Sequence, residues 1–401
     1  SNNQKKDYQF QEPVTAWDES SKEAHWRNRP DKNTPFFAVF NNGVTHESGT
    51  FEPRSPRVVD PQKIEVPPYY PEAPEVRECL ARHYDNIYAM DQWVGDYLAA
   101  LEEANLLDKT IVVFFSDHGD GLPRAKRWVY DSGLKIPLIV RWPDGRKAGT
   151  VDEELVSFID FAPTTLALAG LPVPDYMQGQ VFMGEEKAAP RQYVYAFRDR
   201  MDPAPETIRA VRDKRFKYVR NYRPALPCLG FIPYRDRAPI MQAILKMKEE
   251  GRLGPDQWQF WATKKPLEEL YDTQTDPHEI NNLASHPEYL GKLAELRQAH
   301  HNFTEQHGDL GMIPETELIK RLWPPAGVQP VTATPEILVE DKKMVLQTET
   351  EGASIAYRFA DDASWQLYAG PVPLDKKAKK VEAVAIRLGW KQSETAREEL
   401  R

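Results

Sequence analysis

The stretch from Thr110 to Arg141 constrains this fold more than any other. It opens on a short continuous apolar run, Ile111-Val-Val-Phe-Phe115. Such a run suits a strand buried on both faces. Ser116-Asp-His-Gly119 stands where that strand must end. A polar loop with Arg124 and Lys126 follows, then Tyr130-Asp-Ser-Gly133. A second apolar run, Ile136-Pro-Leu-Ile-Val140, returns to the sheet. In open α/β sheets, ligands bind just beyond the carboxyl ends of the strands. Asp117 and His118 are therefore two metal-type ligands delivered to that place by a rigid element. Neighbours on a regular strand face opposite ways, so both can serve one ion only because the strand has ended.

The flanking chain fits an α/β reading. Val76, Leu80, Tyr84, Ile87, Val94, Leu98 and Leu101 recur mostly at threes and fours and predict a helix over 76–104. A helix followed by the strand at 110–115 reads as half of a parallel βαβ unit. Phe36 to Phe40 reads as a strand, and 41–75 as loop with His46 at its start. Asp160 is a candidate cap, with Pro163 in the first turn, for a helix over 160–169. Tyr193–Phe197, Thr207–Arg212 and Phe216–Tyr222 then read as short strands with no helix between them, hence an antiparallel sheet and a second subdomain. The Lys/Glu-rich helix near 238–250 reads as a solvated face. A helix over 287–306 puts Leu290, Leu293 and Leu296 on one stripe. After the linker signal Pro324-Pro325-Ala-Gly, the texture is all β, with Asp361-Asp362 in a turn.

Composition limits the partners. A chain of 401 residues predicts two or three domains at about 150 residues each. The net charge of −9 argues against a nucleic-acid partner. An anionic substrate must then be drawn by local cations. No apolar run approaches the roughly 20 residues of a membrane span, so no membrane partner is expected. The 2 cysteines give no disulfide framework. Cys79 falls on the inner face of the predicted helix, as a buried free thiol.

The residues quoted above resemble the sulfatase family of the alkaline-phosphatase-like superfamily. The shared pattern is an apolar strand, Ser-Asp-Asn/His-Gly, a lysine, a Tyr/Phe-Glu/Asp-x-Gly turn and a second strand with proline. Lys126 stands before Asp131 at the family spacing. Pro35-Phe36-Phe37 leading to Thr45-His46-Glu47 resembles the family, as do Tyr84–Gly95, Ser157–Thr164 and Leu270–Ala284. The fold this implies is an incomplete alkaline-phosphatase-like mixed sheet with flanking helices over 1–190. A smaller α+β subdomain follows over 191–323. Residues 330–401 resemble the chitobiase C-terminal-like β-sandwich appended to carbohydrate enzymes.

The resemblance also implies roles. Asp117 and His118 would hold one divalent metal, calcium in the family, although a histidine nitrogen by itself better suits zinc or manganese. Lys126 would contact the sulfate and the leaving oxygen, where a point cation offsets charge as the S–O bond breaks. Arg124 and Arg127 are competing cations in the same loop, and Arg124 is a candidate substrate contact. His46 would give a proton to the leaving alkoxide. The implied substrate is a sulfate ester or sulfamate on a sugar such as a glycosaminoglycan. The implied setting is periplasmic or extracellular, although no signal peptide is visible in the chain.

One departure is large. Sulfatases oxidise the first residue of Cys/Ser-x-Pro/Ala-x-Arg to formylglycine, whose hydrated aldehyde is the nucleophile. Family order puts that motif before His46, and it is not there. Cys79-Leu-Ala-Arg82 is one residue short, and Ser354-Ile-Ala-Tyr-Arg358 fits only in the β appendage. The family's early paired aspartates are absent too. The expectation is a carboxyl-terminal portion, inactive alone, that pairs with a polypeptide carrying the missing strands or is itself truncated. Two other classes stay open: a phosphodiesterase or phosphatase of the same superfamily, and a catalytically empty binder of sulfated glycans.

Overall fold

The computed structural model describes residues 1–401 apart from 4, 6–7, 360–363, 375–378 and 401. The expected turn at Asp361-Asp362 lies outside the described residues. Regular elements begin with strands β1 (Asn2–Asn3) and β2 (Val39–Phe40), then helix α1 (Pro74–Glu103). Strand β3 (Val112–Phe115), the single turn α2 (Asp131–Leu134), strand β4 (Leu138–Arg141) and helix α3 (Phe161–Leu168) follow. Next come β5 (Val194–Met201), β6 (Ala204–Arg212) and β7 (Phe216–Asn221), then α4 (Pro233–Asp236), α5 (Pro239–Glu249), α6 (Pro255–Trp258) and β8 (Glu268–Asp272). The chain continues through α7 (Leu290–His307) and α8 (Glu315–Leu322), then β9 (Glu336–Glu340), β10 (Lys343–Gln347) and β11 (Ser354–Phe359). It closes with β12 (Gln366–Leu367), β13 (Val372–Pro373), β14 (Lys380–Ile386) and β15 (Ala396–Glu399).

These elements divide into two compact units, Gly43–Asp309 on one side and Ser1–Asn42 with Leu310–Arg401 on the other. The first is built on α1. Pro74 occupies its first turn, where a missing N–H costs nothing. Val76, Cys79, Leu80 and Ala81 pack against Ile240, Met241, Ile244 and Met247 of α5. Burying each of the larger side chains stabilises by about 1.5–3 kcal/mol. The α5 helix thus turns an apolar stripe into the main core and Gln242, Lys246 and Glu249 outward. The charge-rich composition masked that stripe.

Strands β3 and β4 depart from expectation. Among the described residues β3 pairs only with β4, and antiparallel, with Val112 opposite Arg141 and Phe115 opposite Leu138. No residue of either strand is buried, and Phe115 and Ile139 are 41% and 61% exposed. An apolar run reports what a strand is able to bury, not what covers it.

The second sheet is an antiparallel meander in the order β5-β6-β7-β8. Leu293, Leu296 and Ala299 of α7 pack on Val211, Tyr218 and Leu270. Leu290, expected on the same stripe, is exposed, and Tyr289 beside it packs against this core instead.

In the other unit β1 and β2 pair in parallel, and Trp26 is buried against the rings of Phe36 and Phe40. The antiparallel sheets β13-β10-β9 and β12-β11-β14-β15 share one core of Met344, Leu346, Ile355, Tyr357, Val381, Ala383 and Ala385. That is a small β-sandwich. No helix among the described residues is long and apolar enough to cross a membrane.

Candidate functional site

The β3 strand ends at Phe115, and a tight turn carries Asp117 and His118. The Ser116 hydroxyl donates to the His118 backbone oxygen at 2.6 Å. Gly119 N–H donates to Gly133 O at 2.9 Å. A Cβ at Gly119 would sit 1.9 Å from the Ser132 carbonyl oxygen, so the close approach needs glycine. His118 Nδ1 lies 2.6 Å from Gly119 O, which assigns the proton to Nδ1 and leaves a lone pair on Nε2. That Nε2 lies 3.7 Å from Asp117 Oδ1. The turn therefore aims the two side chains at a shared region, which a regular strand would forbid.

A compact loop joins this turn to α2. Lys126 N–H donates to Asp120 O at 2.9 Å and the Ser132 hydroxyl donates to Arg124 O at 3.0 Å. Arg124 and Arg127 both have positive φ, +65° and +78°. Each costs of order 1–2 kcal/mol in a non-glycine residue, so the side chains must hold them. Arg124 is 3% exposed and donates to the backbone oxygen of Glu279 at 2.6 Å. Its guanidinium also lies 4.0 to 4.8 Å from the ring centres of Tyr130, Tyr69 and Phe260, beside a cavity of about 200 Å³. This corrects the expectation for Arg124: it is an internal anchor of the loop. Arg127 makes two hydrogen bonds to the Glu47 carboxylate, at 3.1 and 2.8 Å. Lys126 Nζ lies 3.9 Å from the same carboxylate and keeps partial exposure.

Glu47 follows His46 in the chain. His46 caps the 3-10 turn Glu47–Thr50, its Nδ1 lying 2.9 Å from the Ser48 hydroxyl and 3.4 Å from the Ser48 N–H. The Tyr234 ring stands 6.1 Å from its imidazole. Helix α1 fixes this turn through Asn86, which donates to Gly49 O at 2.9 Å, and through Arg82, which donates to Thr50 O and Phe51 O at 3.2 and 3.1 Å. The same helix reaches the metal-type turn, since His83 Nε2 lies 3.1 Å from Asp120 Oδ1. One helix face thus holds the His46 turn and the Asp117–Asp120 turn, and Glu47 ties the former to Lys126.

Sequence reasoning had singled out neither Glu47 nor His83. Glu47 was legible only as the neighbour of His46. His83 sits one turn from Cys79, facing inward, where a polar side chain needs a partner. The two nucleophile-like matches are structural. Cys79 is buried in the α1 core as a free thiol. Ser354–Arg358 runs along β11, and Arg358 pairs with Glu382 of β14 at 2.6 Å.

Asp117 and His118 suit a divalent ion in part. The carboxylate supplies oxygen, and a histidine whose other nitrogen is bonded to a backbone carbonyl is the usual metal-binding arrangement. They make two ligands and no closed sphere, because no group of three or more His, Cys, Asp or Glu able to hold a metal occurs among the described residues.

Comparison with known proteins gives a consistent answer. Residues 3–171 match the sulfatase family profile, and 123–226 match the C-terminal region of N-sulphoglucosamine sulphohydrolase. An ulvan-active sulfatase of Formosa agariphila is 43% identical over 98% of this chain and 72% of its own length. Human N-sulphoglucosamine sulphohydrolase is 30% identical over 65% of this chain and 54% of its own. The chain thus spans 72% of one relative and about half of the other. The solved structure of yidJ from Bacteroides fragilis aligns with a TM-score of 0.51 and 21% identity, covering 71% of this chain and 57% of that one, a likeness of fold.

Proposed function

The chain belongs to the sulfatase family of sulfuric ester hydrolases, with the alkaline-phosphatase-like fold, and from there we propose that it forms the sulfate-binding side of an enzyme that hydrolyses sulfate esters on a sulfated carbohydrate. What carries the reading is the meeting of three segments: the His46 turn, the Lys126 loop and the Asp117-His118 turn, joined through Glu47 and α1. The family's general need for a divalent metal fits Asp117 and His118, and calcium is the ion we propose.

Each residue then has a task. The Lys126 ammonium meets the sulfate and the leaving oxygen, where negative charge grows as the ester bond breaks. The His46 imidazole hands a proton to the departing alkoxide. Asp117 and His118 would hold the ion, which when bound polarises the sulfate oxygens. The family nucleophile pattern fits these 401 residues only at Ser354–Arg358, inside a strand. We therefore propose that the attacking group comes from residues outside this sequence, in the same or a second polypeptide. The likeness to an ulvan-active sulfatase supports a polysaccharide substrate, and hence a periplasmic or extracellular setting.

The test is release of inorganic sulfate from ulvan and from heparan-type oligosaccharides, using the chain together with its upstream coding sequence. Lys126→Ala and His46→Ala should each lower turnover by about 100-fold or more. Activity within a few-fold of the parent for either variant would overturn the assignment. The 401-residue chain alone should release none.

A further inference from the structure

We propose that Glu47 and Arg127 form a positioning pair whose task is to set the His46 imidazole against the Lys126 ammonium. The inference rests on the reading just given, and names what holds that site in register.

Three observations carry it. First, Glu47 is 1% exposed, next to His46 in the chain, and gripped by both nitrogens at the end of the Arg127 side chain. The neighbouring backbone is fitted to it: a Cβ at Gly121 would stand 2.8 Å from Glu47 Cα and N. Second, Arg127 adopts φ +78° to make the contact, and with Arg124 it brackets Lys126 between two left-handed residues. Backbone strain of this kind persists only where the surroundings over-determine it, and it clusters at functional sites. Third, the electrostatics run against the simplest use of the site. A carboxylate 3.9 Å from Lys126 partly cancels the field that would attract an anion. A buried ion pair is also a poor device for stability, since apolar residues of like volume do as well. A charge that weakens attraction and is not needed for stability makes sense as a geometric clamp. The planar fork of arginine fixes a carboxylate in two contacts, and lysine does not.

The test uses the full chain and inorganic sulfate as probe. Affinity is read by calorimetry and by the NMR signal of the Lys126 side-chain nitrogen. Glu47→Gln, which removes a negative charge beside the anion, should nonetheless weaken sulfate on the order of tenfold, or about 1.4 kcal/mol. Arg127→Lys keeps the charge and loses the fork, and should weaken it similarly. The double variant Glu47→Leu with Arg127→Met should keep its thermal midpoint and still bind weakly, which separates positioning from folding. Tighter or unchanged binding in Glu47→Gln overturns the proposal, because the carboxylate is then only a competing charge. Amide exchange supplies a readout that needs no ligand. In Glu47→Gln the N–H groups of Gly49 and Phe51 and those of Lys126 and Trp128 should lose protection together. Loss in one segment alone overturns the pairing. If the parent chain binds no sulfate at all, the sulfate site itself is wrong, and the exchange experiment still decides whether the pair couples the two segments.

Discussion

The Lys217 ammonium lies 2.9 Å from the Glu279 carboxylate, and each side chain is 1% exposed. Asp131 completes the cluster at 2.5 Å from the same nitrogen, with Arg212 3.1 Å from its other side. Glu279 also accepts the Asp131 backbone N–H at 2.6 Å, and its carbonyl accepts Arg124. The loop bearing Lys126 is thus pinned from beneath by the meander sheet and by the segment after β8.

Lys217→Met should therefore be severe. It leaves two carboxylates without their shared cation, and breaking a buried pair from one side costs about 3–5 kcal/mol. Urea unfolding followed by far-ultraviolet dichroism would show it. A loss below about 1 kcal/mol, the scale of an exposed pair, would mean that water reaches the cluster.

The same cluster sets a pH dependence. Burial pushes the Asp131 carboxyl up, but Lys217 and Arg212 outweigh it and hold it at about 2 against an ordinary 3.8. A folded value below the unfolded one means stability fully present above about 4 and lost as pH falls toward 2. Asp131→Asn should flatten the stability profile over that window. Profiles for parent and variant that run parallel from pH 5 to pH 2 would refute the assignment.

Gly119→Ala tests the turn. The added methyl meets the backbone of Ser132 and Gly133, which has no rotamer to give way. The cost should be about 1–3 kcal/mol, together with weaker binding of the ion proposed for Asp117 and His118. A variant as stable as the parent would show that this turn is not held as described.

Cys79 should be inert. Burial raises its thiol to about 11. Iodoacetamide at pH 8 should leave it unmodified in the native chain and modify it once urea has unfolded the core. Rapid native labelling would contradict its place in α1.

Much of this was legible in the sequence where short-range physics decides. The end of β3 at Phe115, the long α1, the three strands from 194 to 221 and the β texture after the Pro324-Pro325 linker follow from period and punctuation, whereas the sandwich was implied only by the family resemblance. That Asp117 and His118 share one turn was legible because a strand end and a glycine are local facts. What was not legible depends on distant partners. Arg124 and Lys126 look alike in a basic loop, and only the packing of Arg124 against Glu279 and three aromatic rings separates the buried anchor from the partly exposed Lys126. The role of Glu47 needed Arg127, 80 residues away. The antiparallel pairing of β3 with β4 was hidden because an apolar run carries no direction.

The β3–β4 ribbon has a colloidal consequence. Its outer rows of amides and carbonyls have no neighbour strand among the described residues, and Phe115 and Ile139 offer grease on opposite faces. Open apolar margins of this kind recruit whatever extended peptide is near. Solutions of the isolated 401-residue chain should scatter more light as concentration rises. Replacing Ile139 by lysine, a charge on the most exposed rung, should keep them clear.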